Sequence, residues 1–221
     1  MVSYHEHNCI TSGEKIIGRL MGGESCALVT DAGMPAISDP GEDLVRLAYE
    51  NEITVSSVPG PSAVITALAI SGMPSKRFSF EGFLSTAKQE RKAHLEMVKD
   101  DTRTLIFYEA PHKLISTLKD MLDVFGDREI ALCKELTKLH ETVIRTTFSS
   151  ALSDFEAVPP KGEYVMIIKG AEPKKEAEMT LEEAIAFAKK LQESGESSSN
   201  AAKIAAKESG FKKSEIYKEL F

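Results

Sequence analysis

Residues 27–41 read ALVTDAGMPAISDPG, and this stretch decides the fold. It opens inside a short apolar run, residues 25–30 (SCALVT), which reads as a β-strand. The chain then breaks into a loop in which Gly33 and Gly41 can take backbone angles closed to other residues, while Pro35 and Pro40 stiffen the path between them. A helical stretch follows over 42–51. The same unit then returns: residues 53–58 read as a second strand, PGPSA at 59–63 as a second loop, and AVITALAISG as a helix apolar on nearly every side and therefore buried. Strand, loop and helix repeated in this way specify a parallel sheet covered by helices. Open α/β sheets bind ligands beyond the carboxyl ends of their strands, so the two loops are expected to border one cleft.

Beyond residue 77 the balance shifts toward strands. FSFEGF (78–83) reads as a strand or crossing segment and TRTLIFYE (102–109) as a clear strand. A helix over 112–125 is ended by Gly126-Asp127, and EIALCKEL, ETVIRTTF and EYVMIIKG supply further strands. The expected architecture is α/β: a parallel-sheet domain over 1–72, a mixed-sheet α+β domain over 73–170, and a small helical tail over 180–221. The charged stretch AEPKKEAEM (171–179) is the linker, and helices are expected over 181–194, 200–209 and 214–221, with Gly195 and Gly210 marking two of the ends. The first domain shows only two strands where a stable sheet needs at least three. Either a strand hides before Ser25 or part of that domain lies outside this chain.

Composition narrows the function. The 221 residues are 42% hydrophobic and 28% charged, enough for a packed core, and no run approaches the roughly 20 apolar residues that span a bilayer. The start MVSYHEHN lacks the basic and apolar regions of a secretory leader, so a cytoplasmic protein is expected. The three cysteines have neither metal-ligand nor redox spacing; Cys26 and Cys133 lie in apolar runs and read as small buried hydrophobes. A net charge of −7 argues against a broad nonspecific nucleic-acid footprint, though a local basic strip would suffice for RNA. Dinucleotide, phosphate-loop and nucleophile-elbow motifs are all missing from the sequence.

The loops themselves carry two readings each. Asp31 and Asp39 place carboxylates suited to a sulfonium or ammonium group, or else Asp39-Pro40-Gly41 caps the next helix. Ser62 opens the apolar helix, whose free amides suit an anion, or it is only a helix start. His5-Glu6-His7 has no further ligand at a recognisable spacing, so no metal site is expected.

Seven stretches in order, SYHEHN, ALVTDAGMPAISDPG, VPGPSA, FEGFL, IFYEAPHKL, KELTKLHE and PKGEYVMII, resemble the ribosomal RNA 2'-O-ribose methyltransferase I family of the tetrapyrrole (corrin/porphyrin) methylases. The resemblance implies a two-domain enzyme, usually a homodimer, that binds S-adenosylmethionine between its domains and methylates a cytidine ribose in 16S rRNA of the small ribosomal subunit. It implies that Asp31, Ala32 and Gly33 line the amino-acid and sulfonium end of the cofactor, with Ser38, Ser62 and Ala63 on the two rims. Phe107 and Tyr108 would touch it from the second domain, Cys133 and Lys134 would lie near the adenine, and Pro160 to Glu163 would close the pocket. Lys134, Lys138 and Glu141, in KELTKLHE, are the candidates for drawing the proton from the ribose hydroxyl. Relatives begin earlier, with a strand and a TPIGNL-like loop, so the resemblance also implies a shortened chain. The tail resembles a helix-turn-helix whose Lys203, Lys207, Lys212, Lys213 and Lys218 would meet RNA phosphates. The alternatives are a methylase of tetrapyrroles or of a protein side chain, and an RNA-binding module without catalysis.

Overall fold

Three helices precede the first strand in the computed structural model, which describes residues 1–173 and 179–220. They are α1 (Cys9–Met21), α2 (Glu42–Glu50) and α3 (Ala63–Ser71). There follow β1 (Phe78–Phe83), α4 (Lys88–Val98), β2 (Thr104–Glu109), α5 (Pro111–Phe125), β3 (Glu129–Lys134), β4 (Thr142–Thr147), α6 (Phe148–Ala157) and β5 (Tyr164–Ile168). The five strands form one sheet in the order β1-β2-β5-β3-β4, parallel between β1 and β2 and antiparallel elsewhere. This is the mixed sheet expected of the second half.

Period-two alternation sorts the strand residues between two cores. Leu105, Phe107, Ile130, Leu132, Met166 and Ile168 face α4, α5 and α6 and join Leu95, Leu118 and Phe148 in the larger core. Ile106, Ala131, Cys133, Val165 and Ile167 face the other way and pack on Val64, Ala67 and Leu68 of α3. Because both faces are covered, the strands read as unbroken apolar runs. Arg145 on β4 fixes α3 against this face: its Nε donates to the Ser71 carbonyl at 2.8 Å and its Nη2 to that of Ile70 at 2.9 Å. The far end of α3 therefore projects from a firmly held base.

The strands expected at 25–30 and 53–58 do not form. Neither segment is paired into a ladder, and Val29 and Val58 stand 77% and 86% exposed. A strand exists through a hydrogen-bonded neighbour, and two apolar runs alone do not make a sheet. Cys26, expected to be buried, is exposed for the same reason; Cys133 is buried as expected. Helices α1, α4 and α6 went unread in the sequence. The first carries two glycines and β-branched residues, which mask the Ile16–Ile17 stripe that packs on Leu44 and Ala48.

The described chain divides into two units, Met1–Glu172 and Pro173–Phe221. The second contains α7 (Leu181–Glu193), α8 (Ser198–Ser209) and α9 (Lys213–Lys218), close to the three helices expected there. Its small core of Ala184, Ala188, Ala202, Ala205 and Ile216 lets the helices approach closely. Thr180 and Glu183 form a capping box on α7, and Gly210 ends α8 in the left-handed conformation. Most of the linker read from sequence, residues 174–178, lies outside the described residues. Among the described residues no helix is long and apolar enough to cross a membrane.

Candidate functional site

A cleft of about 810 Å³ opens at the carboxyl ends of β2 and β3 and beside the amino end of α3. The aspartate-glycine loop and the PGPSA loop meet there. A Cβ added to Gly33 would stand 3.8 Å from the Pro61 carbonyl, and one added to Gly60 would stand 3.5 Å from Met34 Sδ. Both loops line the same cavity, through Asp31, Ala32, Gly33, Ser38 and Asp39 on one side and Pro61, Ser62 and Ala63 on the other. Ser62 is the N-cap residue of α3 but makes no capping bond with its own side chain. The first loop is held in a demanding path, with Ala36 and Ser38 both at positive φ (65° and 62°). Such conformations cost about 1–3 kcal/mol each and persist only where the surroundings impose them.

The sheet supplies the floor. Tyr108 and Cys133 both line the cleft from the α3-facing side. Burial, more than the neighbouring Asp39, raises the Tyr108 phenol, and the Val64 amide opposes it. Burial also pushes the Cys133 thiol up to about 11, so it stays neutral and serves as an apolar contact. Phe107, expected beside Tyr108 in the site, does not line the cleft. Its side chain is wholly buried in the core on the opposite face, because adjacent strand residues point opposite ways.

The far wall is a carboxylate clamp that the sequence did not reveal. Glu135 Oε1 accepts the Glu163 amide at 3.0 Å, while the Glu135 amide donates to the Glu163 carbonyl at 3.1 Å. Lys138 Nζ donates to Glu135 at 3.2 Å and to Glu163 Oε2 at 3.0 Å. The Glu163 amide, followed by Lys138, holds the Glu135 carboxyl below its usual range. The Glu163 and Glu135 carboxylates in turn hold the Lys138 ammonium above its own. Lys138 and Glu163 line the cleft; Lys134 and Glu141 do not. Lys134 shares the register of Ile130 and Leu132 on the side covered by α4, α5 and α6, and Glu141 is exposed, accepting the Thr137 amide at 2.6 Å.

Glu109 also escaped the sequence reading. It is 2% exposed at the end of β2, accepts from Thr117 Oγ1 at 2.6 Å and from the Ala110 amide at 2.9 Å, and lines the cleft. Its place directly after Tyr108 in IFYE was the available signal. Among the charged residues lining the cavity, Asp31, Asp39, Glu135 and Glu163 meet a single lysine, an acidic surface suited to a cationic ligand, while the buried Glu109 carboxylate is turned to Thr117.

Residues 10–152 match the Tetrapyrrole (Corrin/Porphyrin) Methylases. The chain is 42% identical over 220 residues to the ribosomal RNA small subunit methyltransferase I of Halalkalibacterium halodurans, covering 98% of this chain and 76% of that one. It is 44% identical to the protein of the same name from Xylella fastidiosa (98% and 80%). Among solved structures, diphthine synthase matches with a TM-score of 0.55 at 13% identity (76% and 68%), and the methyltransferase CobJ with 0.55 at 15% identity (72% and 70%). The chain belongs to the tetrapyrrole methylases and, within them, to the ribosomal RNA small subunit methyltransferase I family.

Proposed function

We propose that this protein methylates the 2'-hydroxyl of a cytidine ribose in 16S rRNA, using S-adenosylmethionine held in the cleft just described. The carrying observation is that one cavity gathers the Asp31–Gly33 segment, the Ser62–Ala63 helix start and the Tyr108–Cys133 floor. Its chemistry fits the cofactor. Carboxylates face a molecule bearing a sulfonium and an ammonium, free amides at the start of α3 suit its carboxylate, and Cys133, Leu136 and Val165 offer an apolar bed to its adenine.

Bound there, the cofactor supplies an electrophilic methyl group for in-line displacement by the ribose oxygen. The protein's contribution is to align that oxygen and ease loss of its proton. Of Lys134, Lys138 and Glu141, only Lys138 lines the cleft. Its raised pKa keeps it protonated, so it serves as a cation beside the developing alkoxide rather than as a proton acceptor. Lys138→Met is expected to lower kcat roughly 100-fold while Lys138→Arg keeps most of it. Single-turnover methylation of small subunits lacking the modification reads this out, and equal rates in both variants and wild type would remove Lys138 from the mechanism.

The test of the cofactor reading is Asp31→Asn. Losing one charge-assisted contact weakens binding roughly 10- to 100-fold. Calorimetry with S-adenosylmethionine should show that loss, and an unchanged Kd would place the cofactor elsewhere. The lysines of the second unit are exposed, as a role on RNA phosphates requires: Lys203, Lys207, Lys212, Lys213 and Lys218. The proposal includes a cytoplasmic homodimer, in which Val29, Val58 and Leu139, all exposed in the single chain, are candidates for cover by the partner.

A further inference from the structure

Strand β1 carries an irregularity with a chemical consequence. Its register against β2 shifts between Phe80 and Gly82: Phe80 pairs with Ile106, Gly82 with Phe107 and Phe83 with Tyr108. Glu81 is the extra residue of a β-bulge, and Gly82 takes φ 67° to make the turn. Without the bulge, simple alternation would put Phe83 on the face covered by α4, α5 and α6 and leave Leu84 on the α3 face. With it, Leu84 enters the larger core at 2% exposure and Phe83 swings to the face shared by Phe78 and Phe80. There Phe83 lines the cleft while remaining 56% exposed, an unusual state for a phenylalanine. It is also braced. The Tyr108 ring lies 5.3 Å from it at 58°, and Phe80 stacks edge-on to the same tyrosine at 5.0 Å.

We propose that Phe83 is the platform on which the base of the target nucleotide stacks while its ribose is methylated. A sugar hydroxyl is held in line only if the nucleotide is fixed at a second point, and an exposed ring braced by others gives any base a π-face to lie on. This rests on the cofactor reading above, which puts the adenine over Cys133 and Val165. Phe83 stands on β1, three strands away from β3 in the sheet order, or roughly 14 Å at the usual strand spacing. The β1 end of the cleft is therefore left for the base of the target nucleotide, and its ribose lies between that end and Lys138.

The chain has no tryptophan, so Phe83→Trp introduces a single tryptophan at this position, whose emission is excited selectively over that of the tyrosines. A cytidine-containing single-stranded oligoribonucleotide should quench its emission, the same oligonucleotide with an abasic ribose in place of cytidine should not, and S-adenosylmethionine alone should leave it nearly unchanged. In parallel, Phe83→Ala and Phe83→Leu should raise KM for small ribosomal subunits roughly 10- to 100-fold with calorimetric Kd for the cofactor within about twofold, whereas Phe83→Tyr stays near wild type. Quenching by the cofactor alone, equal quenching by the abasic RNA, or a leucine variant as good as wild type would each overturn the platform. Base-dependent quenching with no methylation by the wild-type protein would leave the platform standing and refute the methylation reading instead.

Discussion

Phe107→Ala is expected to cost the protein about 3–5 kcal/mol of stability, since it empties one of the largest fully buried sites in the core. For a unit of this size that is a fall of roughly 6–20 °C in Tm. Phe107 is 0% exposed, pairs with Met166 across the sheet and lies 6.0 Å from the His94 ring. The same variant separates two roles. If the side chain only packs, the cofactor Kd of the folded fraction stays near wild type while thermal unfolding shifts sharply. An unchanged melting curve with weakened cofactor binding would return Phe107 to the site. Tyr108→Phe makes the complement, removing only the hydroxyl near Val64 and Asp39 from the cleft.

The contrast between these neighbours shows what the sequence discloses. The matching segment IFYE marks a functional strand end but treats both aromatics alike; strand periodicity, applied to the same residues, assigns one to each face. Similarly, the two glycine-proline loops were legible because their turn chemistry has few alternatives, and they do meet in one cleft. The Glu135–Lys138–Glu163 clamp was not legible, for it joins a hairpin loop to a segment 25 residues from Lys138. The Phe83 bulge was hidden because one extra residue reverses the facing of everything after it, and FSFEGF alternates plausibly either way. The expected strands at 25–30 and 53–58 failed for the opposite reason. Apolar content is local, but strand pairing requires a partner that no local pattern reports.

Gly41→Ala is the second large effect, and it falls on binding more than on folding. Gly41 is the N-cap residue of α2 at φ 147°, a conformation side chains rarely adopt. An added Cβ would come within 2.5 Å of Leu28 Cδ2 and 3.2 Å of Ala36 Cβ. The residue thus pins the end of the loop to the segment that precedes it. Strain of about 1–3 kcal/mol would be relieved by moving the loop that carries Asp31, Gly33 and Ser38. The Ile16–Leu44 cluster and the sheet cores are separate groups of residues, so the fold should survive. Affinity for S-adenosylmethionine is expected to fall roughly 10- to 100-fold by calorimetry, the same energy converted. Gly18→Ala is the control. It lies inside α1 with nothing within 4 Å of an added Cβ, and it should raise stability by about 0.5–1 kcal/mol while leaving the cofactor Kd alone. Wild-type affinity in the Gly41 variant would mean that the loop's path is not what shapes the cleft for its ligand.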